Sequence, residues 1–210
     1  MLVPPERVKR WFVNFETRHG QMQLGVVDSQ LSATAADGER AVAALPFGRK
    51  YDGPADAAQF AAAATGPIRW GILLVRKGGF AVAALERTTV LASKVGQRHV
   101  QGRTKAGGQS QQRFSRRRDN QGRQAFEAAA DHAHRILVQE TGRLEALICG
   151  GDRGAIAAVL SDRRLEPLSD IREEPFLDVP DPRRVVLDRA VQDARSARIS
   201  LRAPADQESE

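Results

Sequence analysis

The residues best suited to chemistry stand together in one short stretch, Gly107-Gly108-Gln109-Ser110. Two consecutive glycines admit backbone angles closed to other residues and let the main chain approach a bound molecule closely. Gln109 carries a neutral amide that donates and accepts hydrogen bonds but cannot serve as a general base. Ser110 is suited to cap a following helix, whose free N–H groups and partial positive charge would face whatever the loop holds. Gly-Gly pairs are also common in plain turns, so the flanking residues must decide.

Those flanks are strongly cationic. From Lys94 to Arg123 the chain carries Lys94, Arg98, Arg103, Lys105, Arg113, Arg116, Arg117, Arg118 and Arg123, nine cations, against Asp119 alone. Arg113, Arg116, Arg117 and Asn120 share one helical face by the three-and-four rule. The whole chain has a formal charge of +6, but the excess is focused here, which points to a polyanionic partner. Arg98, Arg103, Lys105, Arg113, Arg116, Arg117 and Arg118 are therefore candidate RNA contacts. A solvated helix face is the plain alternative for any arginine run.

The elements that must position this loop follow from periodicity. Residues 1–66 read as a small N-terminal α+β unit. Val8, Trp11, Phe12 and Phe15 recur at helical spacing up to Gly20 and are read as core rather than a stacking platform. Short strands are expected at 24–27, 31–35 and 41–45, with a turn at Asp37-Gly38, and an alanine-rich helix ends near Ala64. The role of this unit stays open. A second unit, 67–202, begins with strands at 72–75 and 80–85 joined through Gly78-Gly79, then a third at 88–95 whose arm runs to Gln101.

Residues 102–110 lack apolar periodicity and form the loop. Phe126, Ala129, Ala133, Ile136 and Leu137 then lie on one face of a long helix from about Ser110 to Thr141, with Gly122 a weak point. A buried strand at 144–149, a turn at Gly150-Gly151, a helix near 153–160, a helix at 183–196 and a strand at 198–201 complete a mixed α/β domain. Residues 203–210 are expected to be a disordered tail.

Composition excludes several classes. Hydrophobic residues make up 41% and charged residues 28%, the balance of a soluble globular chain. No apolar run approaches the ~18 residues of a membrane span, and Cys149 as the single cysteine fits a reducing compartment. A cytoplasmic monomer is expected, with neither membrane nor DNA as partner. His132 and His134 are two apart on a helix and cannot chelate one metal together. The first two strands of the second unit carry no carboxylate within their apolar runs, so a two-metal nuclease has no ligands there. No metal or cofactor is expected.

The string from Gly107 to Arg118, Gly-Gly-Gln-Ser-Gln-Gln-Arg-Phe-Ser-Arg-Arg-Arg, closely resembles the signature of the middle domain of eukaryotic and archaeal class-one peptide-chain release factors. The strand meander before it, the helix after it and the segment Leu144 to Gly151 match as well, so the likeness covers about residues 68–202. Within that superfamily the chain most resembles the actinobacterial branch of the Vms/Ankzf type of ribosome-quality-control release factors. The resemblance implies a ribonuclease-H-like mixed sheet with flanking helices and a peptidyl-tRNA hydrolase whose partners are the large ribosomal subunit and peptidyl-tRNA. It assigns Gly107, Gly108 and Gln109 to catalysis: the Gln109 backbone N–H would stabilise a developing oxyanion, and its side chain would position water. Cleavage of the tRNA acceptor end, or non-catalytic occupation of the ribosome, remain alternatives.

Overall fold

The computed structural model describes residues 1–77, 79–97 and 126–202. In chain order these form β1 (Leu2–Val3), α1 (Pro5–His19), β2 (Met22–Val27), β3 (Gln30–Ala35), β4 (Arg40–Ala44) and α2 (Ala57–Ala63). Next come β5 (Arg69–Arg76), β6 (Gly79–Glu86), β7 (Thr89–Gln97) and a helix over 126–140, here α3. The remainder is β8 (Ala146–Gly151), α4 (Arg153–Leu160), a 3-10 segment (Arg163–Leu168), β9 (Arg172–Leu177), α5 (Arg184–Ala194) and β10 (Ala197–Arg202). Contacts divide them into two units: Met1–Gly66 with the described residues from Gln192 onward, and Pro67–Val191.

The first unit is an antiparallel sheet of order β1-β10-β4-β3-β2 with helices on one face. Pro5 opens α1, where its missing N–H costs nothing, and Gly20 ends it at φ 84°. The helix buries Val8, Phe12 and Phe15 against Leu31, Ala33, Ala43, Ile199 and Phe60. Trp11 is only half-buried and stacks on Phe15, with ring centroids 5.5 Å apart. Asp56 caps α2 by accepting from the Gln59 backbone N–H at 2.8 Å. The β2–β3 hairpin turns on Asp28 and Ser29, both at positive φ (51° and 56°), the hand that suits a two-residue hairpin. His19 reaches Asp37 at 2.8 Å across the β3–β4 turn. The Glu39 backbone N–H, and after it His19, hold the Asp37 carboxyl below the usual range.

One assignment changes here. Sequence reasoning places the strand at 198–201 with the second unit, yet β10 pairs with β1 and β4. Its local pattern says strand but cannot say which sheet.

The second unit is a mixed sheet of order β7-β6-β5-β8-β9. β5, β6 and β7 form an antiparallel meander, and β8 and β9 run parallel to β5. Both faces are apolar, as a sheet with parallel strands requires. Leu73, Val75, Val82, Leu147 and Cys149 face the cluster built by α3 and α4. Trp70, Ile72, Leu74, Leu85 and Ile148 are buried on the other side. Cys149 is a core residue, its thiol pushed up to about 12 by burial. Arg76 pairs with Gly79, so Gly79 stands in the ladder and not in the turn; Gly78 lies outside the described residues. Likewise Gly150 and Gly151 close β8 instead of forming a turn. A Cβ on Gly150 would meet the Leu177 carbonyl oxygen at 2.7 Å, which is why that strand ends in small residues.

α3 presents the expected face: Ala129, Ala133, Ile136 and Leu137 are buried and Phe126 packs partly against the same cluster. Its last seven residues, His134–Glu140, wind as a π-helix, and the Thr141 hydroxyl donates to the Ile136 carbonyl at 2.8 Å. Arg164 ties α3 to the 3-10 segment by reaching Asp131 and Asp162, each at 2.7 Å. The Arg164 side chain first, then its backbone N–H, lowers the Asp162 carboxyl from 3.8 to about 2. A carboxyl held lower when folded stabilises above its unfolded value and loses that contribution as pH falls through its folded value. The stabilisation is therefore expected to fade between about pH 4 and pH 2. It is small, because the pair is solvent-exposed. Melting curves across that range should show a shallower acid decline for Asp162→Asn than for the parent.

Candidate functional site

Gly107, Gly108 and Gln109 lie outside the described residues, as do Arg98, His99, Arg103, Lys105, Arg113, Arg116, Arg117, Arg118, Gly122 and the expected helix start at Ser110. Residues 203–210 do too. What the structure gives is the described chain on either side of that segment: β7 as far as Gln97, and α3 from Phe126 onward.

Phe80 of β6 joins the two. Gly96 of β7 sits directly against its ring, so that a Cβ there would meet the ring carbon Cε1 at 2.3 Å. His132 of α3 stacks on Phe80, with centroids 5.5 Å apart and planes at 28°. One aromatic side chain thus contacts both β7 and α3. Gly96 is the only residue type that lets β7 lie this close to Phe80.

The surroundings are cationic. Burial holds the His132 imidazole below its usual range, and the nearby charges of Lys94 and Arg135 push the same way against Asp131. Lys94 is exposed on β7, and Arg184 donates to the Ser93 hydroxyl at 3.1 Å while pairing with Asp188. His132 is therefore a neutral packing residue at pH 7. His134 stands two positions on, and no group of three His, Cys, Asp or Glu among the described residues could hold a metal. Sequence reasoning missed this role of Phe80 and Gly96. The signal, a glycine ending a strand opposite an aromatic in the preceding strand, is legible only once the register is known.

Among the described residues no helix is long and apolar enough to cross a membrane.

The second unit is thus a mixed α/β domain, a three-stranded antiparallel meander continued by two parallel strands, and the sequence between β7 and α3 is strongly basic. The family described as Actinobacteria/chloroflexi VLRF1 release factor matches residues 68–200, and the chain belongs to that family. Solved structures similar to the chain include the archaeal translation termination factor aRF1, at 21% identity and a TM-score of 0.43 over 60% of this chain and 34% of that one. An archaeal protein follows at 16% and 0.37, over 78% and 52%. Pelota of Archaeoglobus fulgidus gives 10% and 0.28, over 92% and 63%. The chain thus spans less than two thirds of the length of each. No curated protein matches its sequence. Family membership supports a role in translation termination or ribosome rescue.

Proposed function

We propose that the protein hydrolyses the ester between a nascent peptide and tRNA on stalled large ribosomal subunits. The observation that carries this reading is Gly107-Gly108-Gln109, with its Arg113-Phe114 extension, inside the stretch matched by a release-factor family. Attack of water on that ester builds negative charge on the carbonyl oxygen and on the leaving ribose oxygen. The Gln109 backbone N–H stabilises the first, and its side-chain amide orients the water. The loop offers no general base, so the proton passes through hydroxyl groups of the RNA. The active site is complete only on the ribosome.

The basic flanks supply binding. Arg113, Arg116 and Arg117 neutralise phosphates along the path to the ester, and each neutralised phosphate releases counterions. Reversing charge at Arg116 and Arg117 to glutamate is expected to weaken binding to large subunits and to flatten its dependence on salt. A slope equal to the parent's would mean that these arginines face solvent. The reading as a whole is tested by adding purified protein to large subunits carrying peptidyl-tRNA: free peptide is expected, and its absence at saturating protein would remove the proposal.

A further inference from the structure

Among the described residues the helices of the first unit pack on one face of its sheet, and the chemistry of the other face is distinctive. Strand register sets the rows. Arg202 of β10 stands directly opposite Arg40 of β4, and Arg40 stands opposite Thr34 of β3. One row on, Ser200 is opposite Val42 and Val42 opposite Ser32. Arg198 follows a further row along β10, opposite Ala44. The alternate positions, Ala41, Ala43, Ala197 and Ile199, are buried beneath the helices. Arg40, Arg198, Arg202, Ser200 and Thr34 are exposed.

Three features select the occupant. First, the face carries three guanidinium groups, and none of its positions on β1, β2, β3, β4 or β10 is a carboxylate. None of the three arginines has an ion pair among the described residues. Second, Arg40 and Arg202 are a directly opposed like-charge pair, an arrangement that destabilises a sheet unless an anion lies between the two groups. Third, no aromatic residue occupies the face, so it has no platform on which bases could stack. What remains is a set of forked donors and hydroxyls, which suits phosphate oxygens and ribose 2′-hydroxyls.

We infer that this face, centred on Arg40, Arg198 and Arg202, is a second RNA-binding surface that grips the sugar–phosphate backbone without reading sequence. Arg198 lies four residues from Arg202, about 14 Å along an extended strand, so the face engages more than one phosphate at once. The choice of RNA over other polyanions rests on the ribosome-directed reading above. The contact itself involves no catalytic step.

The test uses the full chain and a short fluorescein-labelled RNA duplex, with binding followed by anisotropy over a titration of potassium chloride. In the triple variant Arg40→Gln, Arg198→Gln, Arg202→Gln the log–log salt slope is expected to fall in magnitude by about two, since each lost phosphate contact removes roughly 0.7–0.9. The corresponding triple Arg→Lys variant should keep most of the slope. Thermal melting establishes that each variant is folded, and if the triple variant does not fold, Arg40→Gln alone is expected to lower the slope by slightly less than one. An unchanged slope in a folded variant overturns the inference. So does loss of binding to a poly-glutamate peptide with RNA binding intact, which would assign the face to an acidic protein. Because no peptide release is measured, a failure of the hydrolase reading would leave these outcomes standing and distinguishable.

Discussion

Valine at Gly108 is expected to slow peptide release by about 10²–10³-fold while leaving binding to large subunits nearly unchanged. The size follows from what one aligned donor contributes: removing an oxyanion-hole hydrogen bond costs roughly 3–4 kcal/mol in the transition state. A β-branched side chain narrows the backbone angles open at position 108 and so misdirects the N–H of Gln109. Gln109→Ala separates the two functions assigned to that residue. It keeps the backbone donor and removes the side-chain amide, so hydrolysis should fall less. Release by a larger nucleophile such as hydroxylamine should rise, because the side-chain amide proposed to hold water would no longer crowd that position. If both variants release peptide as the parent does, the loop has no part in the chemistry and a non-catalytic ribosome-binding role takes its place.

The second large effect concerns the packing between β7 and α3. Phe80→Ala is expected to destabilise the protein by about 3–5 kcal/mol, the usual range for truncating a buried phenylalanine. For a chain of this size that lowers the melting temperature by roughly 10 °C. The reason is specific. Phe80 is packed between Gly96 near the end of β7 and His132 in α3, so its loss leaves a void between that strand and that helix. The same geometry predicts a coupling. Gly96→Ala should be costly in the parent, because its Cβ would meet the Phe80 ring at 2.3 Å. It should be nearly neutral when Phe80 is already alanine. Additive effects in the double variant would show that the two sites do not touch in solution.

How much of this could be read in advance differs from element to element. β5 and β6 are continuous apolar runs between charged ends, and the 129–137 face repeats at helical spacing, so both were legible locally. β9 was not. Arg172, Glu173, Glu174 and Pro175 give an edge strand no apolar alternation, and only its pairing with β8 identifies it. The Asp28-Ser29 turn takes its positive φ angles without the usual glycine, so no residue type marks it in the sequence. The candidate site divides in the same way. Gly107-Gly108-Gln109 is contiguous and announces itself, whereas Arg40 and Arg202 are far apart in sequence and become neighbours only through the register of β4 and β10. A pattern carried by long-range pairing leaves little trace in any single window of residues.

Which bond is broken separates ester hydrolysis from tRNA cleavage, and the tRNA released from large subunits by the purified protein reports this directly. Mapping its 3′ end by mass is expected to show an intact terminal CCA bearing a free ribose hydroxyl, with the peptide recovered as a free acid. A shortened tRNA, with the peptide still joined to the missing nucleotides, would contradict ester hydrolysis and assign the protein to phosphodiester cleavage instead.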